Sequence, residues 1–329
     1  MPQTFAATDA VELAVVERSG FVESRHAGVA LVLAADGTIA EKLGDPSALI
    51  LPRSSLKPLQ ALACLSAGVA LDGERLGLAT ASHSGTDRHV AVVRDILSLA
   101  ELGEDALGCP AAWPSDTATR DEMVRELGQP ARIRMNCSGK HATMLLTCVV
   151  NGWDPEGYLA PQHPVQILVR ETVERLIGEK VAATAVDGCG APVYAMTLFG
   201  LARAIHRIGN SSTTSPFALH RSAGALVEAV RADPWTIDGP GRADTIAIER
   251  LGVFAKGGAE GVMVMVAPNG TTVALKMLDG SGRAATAVAL RLLERHGALT
   301  APDVADTMSR LPLAVTGGGQ DVGAIRPAF

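Results

Sequence analysis

Strand-like segments stand near both ends of this chain, and mostly helical patterns lie between them. Near the N-terminus, ELAVVER and GVALVLAADG are rich in strand-forming residues, and TIAEKLG follows a turn at Asp36-Gly37. Near the C-terminus, GVMVMVAPNGTTVALKML holds two strand-like runs around Asn269-Gly270, the dipeptide most favoured in a type I′ hairpin turn. This order predicts an α/β (α+β) fold in which the N- and C-terminal strands share one antiparallel sheet covered by helices.

Helical periodicity occupies the middle of the chain. Leucines along one side predict a helix from Ser54 to about Ala70, and the same pattern predicts helices at 87–102, 118–127, 139–151, 164–178, 216–232 and 282–296. The Ser/Thr-rich stretch 209–218 is predicted to be a surface loop, and the glycine-rich stretch 316–323 a C-terminal loop. We expect one domain over residues 1–329, with a sheet-containing part at about 1–55 and 250–329 and a helical part at about 56–249.

Composition excludes several classes of protein. Of the 329 residues, 47% are hydrophobic, which is enough for a packed core and rules out wholesale disorder. The net charge of -6 is spread along the chain, so no basic face is offered to nucleic acid. The N-terminus lacks a signal-peptide pattern, and no apolar run approaches the roughly 20 residues of a membrane span. Five cysteines without a CxxC pair argue against a disulfide framework, so we expect a cytoplasmic protein that binds neither nucleic acid nor a membrane.

Ser54 and Lys57 form an S-x-x-K motif at the start of the first predicted helix. Three residues of spacing put the amine one helical turn from the hydroxyl on the same face, which places a base beside a nucleophile. A serine hydroxyl becomes nucleophilic when a neighbour takes its proton, and a lysine whose pKa is lowered can do so. On its own, the motif favours the ordinary interpretation of an N-cap serine and a solvated lysine.

Two later segments extend this motif into a larger pattern. Ser82 lies in ASHSG, directly after the apolar stretch LGLATA, and is expected at the end of a strand or in a loop, where reactive hydroxyls are often displayed. Lys256 lies in KGG, just before the predicted hairpin, and is expected at the edge of a sheet. Penicillin-binding proteins and serine β-lactamases have this chain order, but with S-D-N and K-T-G as the second and third elements.

A second group of residues has the chemistry of a metal site. Cys137, Lys140 and His141 lie in NCSGKH, and Asp187 and Cys189 lie in DGCG. Such side chains coordinate metals or polarise a carbonyl group, and the glycines around them allow close approach to a ligand. The spacing is unlike that of a zinc finger, so reduced thiols without a metal, and an ordinary turn aspartate, are the alternatives.

Seven segments in the same order resemble the rhizobial-type L-asparaginases of the asparaginase II family. They span nearly the whole chain: VVERSGFVESRHAG, PRSSLKPLQALA, TASHSGTDRH, NCSGKHATML, VDGCGAPVYAM, FAKGGAEGVMV and KMLDGSGRA. The resemblance implies a homodimer with a fold similar to serine β-lactamases and glutaminases. It also implies an amidohydrolase that cleaves L-asparagine to L-aspartate and ammonia through an acyl-enzyme on serine, unlike the asparaginases with threonine nucleophiles.

The resemblance implies roles for individual residues. Ser54 is the expected nucleophile, with Lys57 as its base. Ser82 and Lys256 are the expected second pair. In this pair Lys256 tunes Ser82, which passes protons to the leaving ammonia or orients water. The sequence leaves open which serine attacks first.

Two thiolates and an amine are the expected zinc ligands, for an ion that acyl transfer does not require: Cys137, Lys140 and Cys189. Because a lysine ligand must be neutral, acid would weaken metal binding. Charge complementarity with the α-carboxylate and α-amine of an amino-acid amide suggests three substrate-binding residues: Arg53, His141 and Asp187.

Two other functions stay open at this point. A penicillin-binding-protein-like or β-lactamase-like serine hydrolase would act on peptides or β-lactams. A non-catalytic homologue would bind zinc or an amino acid without turning it over. The region 209–251 resembles the family least, so the choice between asparagine, glutamine and other amides stays open as well.

Overall fold

The computed structural model describes residues 2–329, so that Met1, the first residue of the expected domain, lies outside the description. The strands, in chain order, are β1 (Val11–Arg18), β2 (Phe21–Leu33), β3 (Ile39–Leu43), β4 (Leu49–Ile50), β5 (Ala183–Val186), β6 (Pro192–Thr197), β7 (Phe254–Gly258), β8 (Val262–Val266), β9 (Thr272–Met277), β10 (Ala314–Gly317) and β11 (Gln320–Pro327). The helices are α1 (Lys57–Ser66), α2 (Gly73–Ala79), α3 (Asp87–Leu99), α4 (Thr117–Arg125), α5 (Ser138–Val150), α6 (Pro164–Ile177), α7 (Leu198–Gly209), α8 (Ala218–Ala232), α9 (Ala243–Leu251), α10 (Ala285–Arg295) and α11 (Ala301–Met308).

Eight strands from the two ends of the chain form one antiparallel sheet. Its order is β10-β11-β1-β2-β9-β8-β7, and β3 pairs with the C-terminal half of β2. β1 pairs with both β2 and β11, and β2 pairs with β9 from Gly28 to Leu33. The N- and C-terminal strands therefore meet in one sheet, which confirms the expected fold class.

Helices cover both faces of this sheet. Every residue of β8 and β9 is buried, and successive side chains of a strand point to opposite faces, so neither face can be open to solvent there. Helices α7 and α10 both pack against these two strands. Four other helices, α2, α5, α6 and α8, pack around α1. Within residues 2–329, no helix is long and apolar enough to span a membrane.

Most of the predicted elements are present, and three details differ. The apolar stretch before Ser82 forms the short helix α2 rather than a strand. Asn269 keeps a negative φ and only Gly270 is left-handed, at φ +95°, so the turn is not type I′. The glycine-rich stretch 316–323 is the turn of the β10–β11 hairpin, because Gly318 and Gly319 supply the positive φ that reverses the chain.

Gly139 lies where α5 crosses α2 closely. A Cβ on this residue would lie 2.6 Å from the backbone oxygen of Leu78, and a helix backbone cannot move aside as a flexible side chain can. We expect Gly139→Ala to lower the free energy of unfolding by about 1–3 kcal/mol, the usual cost of overpacking. Gly282→Ala is the matched control, because nothing lies within 4 Å of a Cβ there. Urea denaturation of both variants checks this, and equal stabilities would contradict it.

Candidate active site

Ser54 lies on a 3-10 turn, Arg53–Leu56, that leads directly into α1. The turn packs against strand β7, and a Cβ on Gly258 would stand 2.6 Å from the backbone oxygen of Pro52. Glycine is therefore needed for the close approach of turn and strand. Arg53 has a left-handed φ of +52°, which is uncommon for a residue with a side chain. The half-buried Ser54 is thus placed by a strained turn held against the sheet edge.

Lys57 is buried, and its amine is surrounded by oxygen acceptors. It donates to the backbone oxygen of Ala81, to Ser82 Oγ at 2.9 Å and to the backbone oxygen of Asn136 at 3.4 Å. The expected partner of this amine was Ser54, whereas the hydrogen bond goes to Ser82. The reason is that a buried amine needs acceptors, and two converging loops supply them.

The loop that carries Ser82 follows α2 and is held on both sides by backbone hydrogen bonds. The Ser82 N–H donates to the Ile237 carbonyl at 2.8 Å, and the His83 N–H donates to the Asn136 carbonyl at 3.1 Å. The His83 ring adds a 2.8 Å contact between Nε2 and Ser138 Oγ at the start of α5. Ser82 is therefore fixed between the segment before α9 and the segment before α5.

Lys256 lies in the middle of β7, the terminal strand of the sheet, as expected for a residue at a sheet edge. Its amine is fully buried and donates to the Gly257 carbonyl at 2.6 Å. Burial lowers the pKa of Lys256 to about 8, and the positive charge of Lys57 acts in the same direction. The carboxylates of Asp244 and Asp238 oppose this lowering.

The three expected zinc ligands come together in the structure. Lys140 Nζ lies 3.0 Å from Cys189 Sγ. The neighbouring Cys189 thiol and nearby lysines hold the pKa of Cys137 well below its usual value, while the neighbouring Cys137 sulfur and burial raise the pKa of Cys189. Within residues 2–329 no group of three or more His, Cys, Asp or Glu side chains has the arrangement of a metal site, so this set depends on its lysine.

Two of the expected substrate-binding residues form an ion pair with each other. Arg53 Nε donates to Asp187 Oδ1 at 2.7 Å, and the Arg53 guanidinium also lies 3.9 Å from Glu260. Burial would raise the pKa of Asp187, but hydrogen bonds from Arg53 and the Gly188 N–H outweigh it and lower the pKa. Opposite charges therefore stand side by side, next to Ser54 on one side and Cys189 on the other.

His141, the third expected substrate-binding residue, is fully buried. Its Nδ1 lies 2.5 Å from the hydroxyl of Tyr158, which also accepts a hydrogen bond from the Gly108 N–H at 2.9 Å. Burial and the neighbouring cations Lys140 and Lys57 hold the pKa of His141 well below its usual value. The ring is therefore neutral and supports the helix that carries Lys140.

Sequence reasoning missed three residues of this region: Tyr158, Asp238 and Asp244. None lies in a motif of its own, and each reaches the site from a distant part of the chain. A buried acidic residue in a glycine- and proline-containing stretch, such as PGRAD, carries no pattern that separates it from an ordinary turn.

The chain belongs to the L-asparaginase II family, whose model matches residues 14–327. This match confirms, at the level of the family, the resemblance carried by the seven motifs. No curated protein matches the chain.

Several solved structures show a weaker likeness. The native form of Mglu is 14% identical with a TM-score of 0.46, and the match covers 83% of this chain and 65% of that one. A Bacillus glutaminase in 4.3 M NaCl is 14% identical with a TM-score of 0.36, covering 83% and 92%. Because this chain spans only 65% of the Mglu chain and the TM-scores are low, these likenesses carry no argument about its activity.

The two tyrosines of the chain allow a matched test of the His141 support. Tyr158→Phe leaves His141 Nδ1 and the Gly108 N–H without their partner, so we expect a loss of about 1–3 kcal/mol in the free energy of unfolding. Tyr194→Phe removes one long hydrogen bond, 3.3 Å to the Gln166 carbonyl, and should cost less than about 1 kcal/mol. Thermal and urea unfolding measure both, and the reverse order would contradict the assignment.

Proposed function

We propose that this protein is an amidohydrolase that cleaves L-asparagine to L-aspartate and ammonia through an acyl-enzyme on Ser54. Membership of the L-asparaginase II family supports the amidohydrolase class. The observation that carries the proposal is the hydrogen bond from buried Lys57 to Ser82, formed directly beside the turn that presents Ser54.

Amide cleavage needs a proton path from the nucleophile to the leaving nitrogen. In the proposed step, the Ser54 oxygen forms a bond to the amide carbon while uncharged Lys57 takes the Ser54 proton. Lys57 then gives a proton to the Ser82 oxygen as the Ser82 hydroxyl gives its own to the nitrogen, the C–N bond breaks and ammonia leaves. Water reverses these transfers when it hydrolyses the ester, which restores both serines.

Arg53 and Asp187 fit the two charges of an amino acid. The Arg53 guanidinium can bind the α-carboxylate of the substrate, and the Asp187 carboxylate can bind its α-ammonium group. Substrate binding would then replace the Arg53–Asp187 ion pair with two ion pairs between protein and substrate. His141 is buried and bonded to Tyr158, so its part in the site is to support the helix that carries Lys140. Ammonia release from asparagine, compared with glutamine and with turnover of a chromogenic β-lactam, tests the substrate class. Turnover of the β-lactam alone would favour a penicillin-binding-protein-like hydrolase instead.

Zinc on Cys137, Lys140 and Cys189 is part of the proposal. The donor set fits the ion: the Cys189 sulfur lies 3.0 Å from the Lys140 amine, the pKa of Cys137 is lowered, and metal binding would release protons from these groups. Bound there, zinc would supply a Lewis acid close to Asp187, one of the two residues proposed to bind the substrate. The homodimer stays a prediction as well.

Ser54→Ala should lower kcat by about a thousandfold or more, because it removes the atom that forms the covalent bond. Ser55→Ala is the matched control: its hydroxyl donates to the Pro52 carbonyl and is buried away from substrate, so kcat should stay within a few-fold. Ammonia release at saturating asparagine gives both values. A Ser54→Ala enzyme that retains a tenth of the wild-type rate would remove Ser54 from the mechanism.

Zinc removal should raise KM and leave much of kcat, because the Ser-Lys groups carry the acyl transfer. Elemental analysis of protein purified without chelator should give one zinc per chain, and kinetics after chelation separate KM from kcat. Protein that takes up no zinc even when it is supplied would contradict the site. Loss of nearly all kcat on chelation would contradict the role.

A further inference from the structure

Two carboxylates in the part of the chain that resembles the family least act electrostatically on Lys256. Asp238 lies in the segment before α9, and Asp244 lies in the first turn of α9 itself. Asp244 is 6% exposed, and the Asp238 side chain is 23% exposed. Buried carboxylates are costly unless a cation or hydrogen-bond donors stabilise them, so their placement beside a buried lysine needs an explanation.

The segment that carries these carboxylates is docked onto the loop of Ser82. The His89 ring contacts the Trp235 carbonyl at 3.1 Å, and the Ile237 carbonyl accepts the Ser82 N–H at 2.8 Å. Gly239, at φ +120°, packs so tightly on Ser84 that a Cβ would overlap the Ser84 side chain. The positions of the carboxylates are therefore set by several contacts and are not those of a free loop.

Asp244 is also tied to the strand of Lys256. Its Oδ2 accepts the Gly257 N–H at 2.5 Å, and a Cβ on Gly257 would lie 3.1 Å from the same oxygen. The Gly257 carbonyl in turn accepts the Lys256 amine at 2.6 Å. A single residue, Gly257, thus joins the carboxylate through its N–H and the amine through its carbonyl.

Several charges act on Lys256 from different elements. Asp244 on α9, Asp238 before it and Cys137 before α5 favour the charged amine, and Lys57 on α1 opposes it. Arg242, which lies 3.5 Å from Asp238, offsets part of that carboxylate's charge. Burial, together with repulsion from Asp244, raises the pKa of Asp238 to about 6, which is still below the pKa of about 8 of Lys256.

We propose that Asp244 is a positioning residue for Lys256 and that, with Asp238, it keeps this buried lysine charged at neutral pH. Resting on the proposed function, this assigns the two lysines different tasks. Lys57 moves protons, and Lys256 in its charged form stabilises the oxygen that becomes negative during acyl transfer. The segment 235–244 is then part of the active site.

The direct test is a titration that needs no substrate. The chain has only six lysines, so the side-chain nitrogen signals of lysine-labelled protein can be followed by NMR against pH, with Lys256→Arg assigning its signal. Asp244→Asn keeps an oxygen for the Gly257 N–H and removes the charge. We expect the titration midpoint of Lys256 to fall by about one pH unit or more. Asp121→Asn, an exposed position on α4, is the matched control and should leave the midpoint unchanged.

An unchanged midpoint in Asp244→Asn would overturn the proposal. If that variant does not fold, Asp238→Asn, whose side chain is partly exposed, provides the same comparison: a lower midpoint supports the proposal and an unchanged one overturns it.

The pH profile of kcat/KM for ammonia release gives the second readout. If charged Lys256 is required, activity is lost as pH rises through its pKa, and Asp244→Asn moves this loss to lower pH. In a Lys256→Arg background the charge is permanent, so adding Asp244→Asn should no longer move the profile. A loss of activity without any shift of the profile would mean a merely structural role for Asp244. Absence of ammonia release in the wild type would contradict the proposed function and leave the NMR result standing.

Discussion

The buried amine of Lys57 is the interaction on which the arrangement of the site depends. An amine taken out of water must be given acceptors, and those of Lys57 come from the ends of two different segments, at Ala81-Ser82 and at Asn136. The positions of both segments are therefore fixed by this amine, and each segment leads into a part of the chain that carries further functional groups. The first continues into the Ser82 loop, and the second into α5 with Cys137 and Lys140. A single buried amine thus holds the segment of Ser82 next to the segment that leads to Cys137 and Lys140.

The parts that the sequence could predict are those whose signal is local. Periodic leucines place α1, and the S-x-x-K motif at its start places Ser54 and Lys57 at one helix end. The resemblance to the family predicted that Cys137, Lys140 and Cys189 meet, and Lys140 does lie against Cys189, although 49 residues separate them. Here the family resemblance supplied what spacing could not, because nothing in two isolated cysteines indicates that they meet.

The parts that the sequence could not predict depend on contacts between distant segments. The hydrogen-bond partner of Lys57 depends on which loop places an oxygen within reach of its amine. The spacing of Ser54 and Lys57 at the start of α1 carries no information about the loop after α2. Helix α2 itself has seven residues, too few for its apolar residues to distinguish a helix from a strand. Tyr158 supports His141 across 17 residues of chain, and only its burial reveals the role. In each case tertiary packing, which leaves no periodic trace, determined the outcome.

The same physical reasoning connects the two Ser-Lys elements. Lys57 is held mainly by uncharged oxygens, whereas two carboxylates are among the charges that act on Lys256, so identical side chains lie in different environments. The segment that supplies those carboxylates also accepts the Ser82 N–H through Ile237. Any displacement of this segment would therefore change the position of Ser82 and the charge on Lys256 together. The segment 235–244 therefore couples two properties of the site: the position of Ser82, which transfers protons, and the charge on Lys256, which stabilises the negative oxygen.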